Sequence, residues 1–110
     1  SRDFTYIDNV IQANLLSLVT TNEKAINTVY NVAYGDRNTL NDLMHYLKEY
    51  LSEFDAEISK IKVIHGPVRV GDVSHSQASI DKAKKYLNYK PKYSLQQGLN
   101  LAVKWYWKNL

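Results

Sequence analysis

Apolar residues fall in two rhythms along this chain, and the switches between them sketch its elements. Val10, Ile11, Leu15, Leu18 and Val19 recur at helical spacing behind Asp8, whose carboxylate can cap a helix ending in the turn Thr20 to Asn22. The β-branched and aromatic run TVYNVAY at 28–34 then reads as a strand, broken by Gly35-Asp36. Leu40, Leu43, Met44, Leu47 and Leu51 form one stripe behind Thr39, the clearest helix signal in the chain. IKVIHG at 61–66 alternates as a second strand and stops at Gly66-Pro67. Ser79 predicts the cap of a short helix reaching Leu87, which must end before Pro91 because the residue preceding a proline disfavours helical angles. Ser94 and Gln97 supply a capping box for a last helix that carries Leu95, Leu99, Ala102, Val103 and Tyr106 on one side. Helix, strand, helix, strand, helix, helix predicts an α/β arrangement, four helices with two or three short strands, free of repeats and low-complexity linkers.

Composition leaves that picture standing and removes several functions. At 110 residues the chain is one domain able to bury a modest core. Hydrophobic residues at 45% against 23% charged belong to a folded chain rather than a disordered one. The absence of cysteine removes disulfides and thiolate metal sites and fits a reducing compartment. No apolar run approaches a membrane span and no basic-then-apolar leader opens the chain, so the expectation is a soluble, cytoplasmic protein with no membrane partner. A net charge of +3 invites an anionic partner. The lysines are scattered, however, and the densest group, Lys82 to Lys92, reads as a solvated helix face. Tyr86 and Tyr89 within it are able in principle to stack on bases, but nucleic acid is not the expected partner.

The candidate chemistry is concentrated in RVGDVSHSQAS, 69–79, which holds a guanidinium, a carboxylate and three hydroxyls (Ser74, Ser76 and Ser79). His45, His65 and His75 are too scattered for a metal site, and Ser74-His75-Ser76 lacks a third group to orient a base. Tyr86 and Lys90 have the Y-x-x-x-K spacing that lowers a phenol pKa on a helix, but Lys90 precedes Pro91 and is not expected to be helical. Gly35, Gly66, Gly71 and Gly98 are too far apart for a dinucleotide-binding loop. Arg2 and Arg69 remain, planar forks suited to phosphate oxygens, two of which suit a diphosphate. Asp72, three residues after Arg69, can accept from paired hydroxyls such as those of a ribose, with Gly71 permitting close backbone approach. The residues themselves equally allow Arg69 and Asp72 to pair with each other or with surface charges.

RDFTYIDNV at 2–10, YNVA at 30–33, R-x-GD at 69–72 and Y-x-P at 89–91 occur in an order that spans essentially the whole chain. Each is weak alone. Together they resemble the C-terminal part of the extended short-chain dehydrogenase/reductase family, the NAD-dependent nucleotide-sugar epimerases and dehydratases. Within that family, RDF-x-YIDNVIQ and GDV-x-HSQA are similar almost residue by residue to the UDP-N-acetylhexosamine 4-epimerases. The resemblance implies that Arg2 and Arg69 hold a UDP diphosphate, that Asp72 takes the ribose hydroxyls, and that Ser76 lines the sugar pocket. A tyrosine at that last position would narrow the pocket, whereas serine leaves room for an N-acetyl group.

It implies further that the glycine-rich NAD loop and the catalytic tyrosine and lysine lie upstream of Ser1, in keeping with a chain that opens Ser-Arg-Asp-Phe without an initiator methionine. The chain is then expected to be a C-terminal nucleotide-sugar-binding region, 1–110, with no catalytic residue, no bound cofactor and no activity of its own. NAD would serve the parent, an epimerase interconverting UDP-GlcNAc and UDP-GalNAc in surface polysaccharide synthesis. Residues 1–34 would lean on the absent NAD-binding domain, stranding Val10, Ile11, Leu15, Leu18, Val29, Val32 and Tyr34 and favouring a homo-oligomer through exposed apolar surface. A nucleotide-sugar dehydratase or decarboxylase shares the same clamp and is the alternative within the family. A small basic nucleic-acid or protein interaction domain is the alternative outside it.

Overall fold

Local capping chemistry starts two of the helices where the sequence places them. The computed structural model describes residues 1–110 as α1 (Ile7–Val19), α2 (Leu40–Ser52), α3 (Asp81–Leu87) and α4 (Leu95–Asn109), with short 3-10 segments at Glu23–Ala25 and Ala56–Lys60. The Thr39 hydroxyl accepts from the Asp42 N–H at 3.0 Å while the Asp42 carboxylate accepts from the Thr39 N–H at 2.8 Å. Ser94 and Gln97 make the same reciprocal exchange at 3.3 and 3.0 Å, so each box satisfies two donors that a helix start leaves orphaned.

The other two boundaries shift. α1 begins from Tyr6, and Asp8 sits inside the first turn, where its charge still favours the helix's positive end. α3 takes Ile80 as its N-cap, and Ser79 contributes only a long 3.4 Å bond from the Asp81 N–H. Asn88, in the left-handed region at φ 57°, ends α3 well before Pro91 can act. Lys90 therefore lies outside the helix that carries Tyr86.

The expected strands do not form. The only bridge is an isolated antiparallel one between Arg2 and Asn38. A strand is defined by its partner's hydrogen bonds, and neither 28–34 nor 61–66 has such a partner. Side chains hold the first segment instead: Lys82 donates to the Val29 carbonyl at 2.9 Å, the Tyr89 hydroxyl to that of Ala33 at 2.7 Å, and Asp3 accepts from the Tyr34 N–H at 3.1 Å. The backbone of 62–68 bonds to no other backbone group, and its side chains stand exposed.

The core is a cluster of Ala13, Ala25, Ala33, Ile80, Ala83, Leu87 and Tyr89, whose alanines let α1 and α3 approach closely. α2 packs on α4 and on 56–60, closed by Phe54 stacked on Trp107 at 5.2 Å between ring centroids. The result is a slab of 54 × 36 × 19 Å. Its radius of gyration is 17.0 Å, against about 13 Å for a compact domain of this length. Its accessible surface is 8351 Å², whereas a compact monomer of this mass exposes roughly 6,200 Å².

α1 shows where part of that surplus lies. Asn9 and Ala13 are its buried residues, while Ile7, Ile11, Leu15, Leu18 and Val19 point outward. Val29 is exposed as expected, but Val10, Val32 and Tyr34 are half-buried, packed by this chain itself. No helix is long and apolar enough to cross a membrane.

Candidate functional site

The first residues of the chain form a seam between two segments remote in sequence. Arg2 and Asn38 exchange backbone bonds at 2.9 and 3.0 Å, and the Ser76 N–H donates to the Ser1 carbonyl at 3.0 Å. Asp3 accepts at both carboxylate oxygens, from the Tyr34 N–H at 3.1 Å and the Gly35 N–H at 2.8 Å. Gly35 presents its N–H from φ +97°, a conformation open to glycine at no steric cost. Residues 1–3 are thus fixed to 34–38 on one side and to 74–76 on the other.

From this seam Arg2 reaches the 69–79 loop. Its guanidinium donates to the Asp72 carboxylate at 2.5 Å and to the Ser1 carbonyl at 2.9 Å. The Arg2 side chain is 35% exposed and that of Asp72 51%. Asp72 closes a turn in which its N–H bonds the Arg69 carbonyl at 3.2 Å, and Gly71 supplies the positive φ of +83° that the third position requires. Arg69 opens that turn with an exposed guanidinium engaged in none of the chain's ion pairs. Ser76 is exposed and held by its backbone alone, and beside it His75 Nδ1 meets the Ser1 hydroxyl at 3.0 Å.

Arg2 and Asp72 are therefore brought into contact, and Arg69 stands three residues away at the start of the same turn. The sequence leaves open a pairing of Asp72 with Arg69, but the partner that Asp72 takes is Arg2. A half-exposed ion pair of this kind contributes roughly 0–1 kcal/mol, so it can be exchanged for a ligand at little cost.

Two side-chain amides hold the body behind the site, and pattern reading did not single them out. Asn9, fully buried, accepts from the N–H groups of Lys92 and Tyr93 at 2.9 and 3.1 Å and donates to the Tyr93 carbonyl at 2.7 Å. One turn on, Gln12 accepts from the Lys90 N–H at 2.9 Å and donates to its carbonyl at 2.8 Å. The RDF-x-YIDNVIQ stretch and the Y-x-P stretch thus grip each other. Tyr6 meets Tyr93 edge-on at 5.2 Å. Burial pushes the Tyr6 phenol pKa up, with Asp8 and Tyr93 adding to the effect. Gly98 on α4 lies directly under Tyr6 and belongs to an apolar groove of about 210 Å³ lined also by Phe4, Leu43 and Leu99.

The groups set aside on sequence grounds stay apart. His45 faces Glu49 on α2 at 3.9 Å, His65 meets Asn41 at 3.0 Å and His75 meets Ser1, so each histidine has a different partner. Tyr89 is fully buried, with burial raising its pKa and the Asp3 charge adding to that rise. It offers no face on which a base could stack. Nothing here fits a dinucleotide: the site contains no strand leading through clustered glycines into a helix, and no step involving NAD is assigned to these residues.

No family model matches the chain. Individual proteins do. Over 96% of its length it is 33% identical to UDP-glucuronate 4-epimerase 4 of Arabidopsis thaliana, covering 25% of that protein. Over its full length it is 30% identical to a UDP-glucuronate 4-epimerase of Thermodesulfobacterium geofontis, covering 31%. The chain thus spans between a quarter and a third of the length of these relatives. They are distant homologues, and their names place them among the nucleotide-sugar 4-epimerases.

Proposed function

We propose that this chain is the C-terminal, nucleotide-sugar-holding segment of an NAD-dependent nucleotide-sugar 4-epimerase, whose redox chemistry belongs to residues outside it. The observation that carries the reading is the contact of Arg2 with Asp72 across a separation of 70 residues, with Arg69 in the same turn. A guanidinium, a carboxylate and a second guanidinium so grouped suit a diphosphate flanked by a ribose. On binding, Arg2 exchanges one half-exposed carboxylate for phosphate oxygens. Each charge-assisted bond to the ligand is worth about 1.5–3 kcal/mol, more than the roughly 0–1 kcal/mol of the pair it gives up. Alone, the chain holds but does not convert its ligand.

Ser76 supports an N-acetylated hexose as the sugar, because in the family this chain resembles a small residue at that position leaves room for an N-acetyl group where a tyrosine would narrow the pocket. The names of the relatives favour a second reading, a hexuronate such as UDP-glucuronate. Dehydratase or decarboxylase chemistry on the same clamp would be recognised by its products. The test is made in the full-length polypeptide, by calorimetric titration of UDP. Arg69→Ala weakens binding if the reading holds, and an unchanged affinity sinks it. Ser76→Tyr separates the two sugars: it lowers kcat/KM for the N-acetylated substrate more than for the uronate, and equal losses make Ser76 an ordinary loop hydroxyl.

The outward aliphatic stripe of α1 and the unpaired segment 62–68 belong to the same reading. In the parent, residues 1–34 lean on the nucleotide-binding domain, and the isolated chain covers this surface by self-association. A cysteine-free chain suits a reducing compartment, which favours the cytoplasm as its place of work.

A further inference from the structure

Asp3 stands next to Arg2 and points the other way. Successive side chains of an extended backbone alternate in direction, and here Arg2 reaches Asp72 while Asp3 turns back to the Tyr34 and Gly35 N–H groups. We infer that Asp3 is a positioning residue: it aims the Arg2 guanidinium at the ligand site without touching the ligand. This rests on the reading of Arg2 as a diphosphate ligand.

Three observations support it. Both Asp3 oxygens are occupied by backbone donors, at 3.1 and 2.8 Å, so the carboxylate has a fixed orientation. The Arg2 backbone is bonded in both directions to Asn38, so residues 2 and 3 are docked on one turn, 34–38. That turn is itself fitted, since a Cβ on Gly35 would lie 3.0 Å from the Ile80 side chain, a core residue. Arg2 has a long, rotatable side chain, and what converts it into an arm of defined reach is the anchoring of its own backbone. A carboxylate suits the anchor because it offers only acceptors. An asparagine would present an NH2 group to one of the two N–H donors.

The test is a double-mutant cycle on UDP affinity in the full-length polypeptide, at a temperature where circular dichroism shows every variant folded. Asp3→Asn is expected to weaken UDP binding roughly tenfold, the scale of losing about one hydrogen bond to a charged group. Combined with Arg2→Ala it should weaken binding no further than Arg2→Ala alone, because Asp3 acts through Arg2. Gly35→Ala, which displaces one donor while keeping the Asp3 charge, repeats the test and is expected to behave the same way. Wild-type affinity in Asp3→Asn, or a loss that adds fully to that of Arg2→Ala, overturns the inference and makes Asp3 a purely structural staple. Wild-type affinity in Arg2→Ala overturns the diphosphate reading instead.

Discussion

Replacing Gly98 by alanine tests the packing of α4 against the N-terminal segment, and two effects of opposite sign compete. In an exposed helix interior the change stabilises by roughly 0.5–1 kcal/mol through backbone entropy. At this position the new Cβ would sit 2.5 Å from Tyr6 Cβ, 2.6 Å from its Cγ and 2.8 Å from its Cδ2. Rotating the tyrosine ring cannot relieve the first of these, because Cβ moves only with the backbone. Ordinary contact begins near 3.4 Å, so α4 or residues 4–6 must shift by about an ångström, and overpacking of this kind costs roughly 1–3 kcal/mol. The steric term wins, and Gly98→Ala should destabilise by about 1 kcal/mol or more. Trp105 and Trp107 lie on the same helix, so a urea titration followed by tryptophan emission and far-ultraviolet dichroism reads the change directly. A chain of this size loses about 4–8 °C of Tm per kcal/mol. A midpoint that stays put or rises would refute the reasoning and show that α4 does not press on Tyr6 as described.

Asn9→Ala removes three hydrogen bonds to Lys92 and Tyr93 and should cost about 2–4 kcal/mol in urea denaturation; a loss below 1 kcal/mol would mean that water replaces the amide. Tyr89 gives a pH dependence. Burial, with the Asp3 charge adding to it, raises its folded pKa above that of the unfolded chain, so its contribution is complete below the unfolded pKa and is lost as pH rises through the folded one. Tyr89→Phe should flatten the alkaline limb of stability above about pH 10, and an unchanged limb would assign it to other groups. Sedimentation of the isolated chain at micromolar concentration should reveal self-association, since the surplus of roughly 2,100 Å² over a compact monomer is the scale of a permanent interface. A sharp monomer boundary would show that the outward face of α1 is tolerated in water.

Helix positions were legible because capping is local: Thr39 and Ser94 each find their partner three residues on. The strands were not, since β-branched runs report a willingness to pair and cannot report whether a neighbour exists. Asp8 is read as a cap because it precedes an apolar run, while Asn9, the residue that matters there, bonds 83 and 84 positions away. Asp3 and Gly98 escape for the same reason, their meaning lying in contacts with 34–35 and Tyr6. Arg2, Arg69 and Asp72 stand out by their chemistry, and the resemblance adds their shared site and the role of Ser76. Spacing alone left Asp72 free to pair with Arg69, and the fold gives it to Arg2.

The grip of Asn9 on residues 92 and 93 also sets a clock. At ribosomal speeds of about 5–20 residues per second, the 84 positions separating Asn9 from Tyr93 take roughly 4–17 s to synthesise. Throughout that interval α1 can coil, but its buried amide has no peptide to hold and the face that later meets α3 and residues 92–93 remains wet. Closure over so long a loop also makes the contact a late event in refolding. The nascent chain therefore passes through a stage in which α1 still lacks its C-terminal partners, with Asn9 open to chaperones, and a slowed or truncated translation before Tyr93 prolongs that stage.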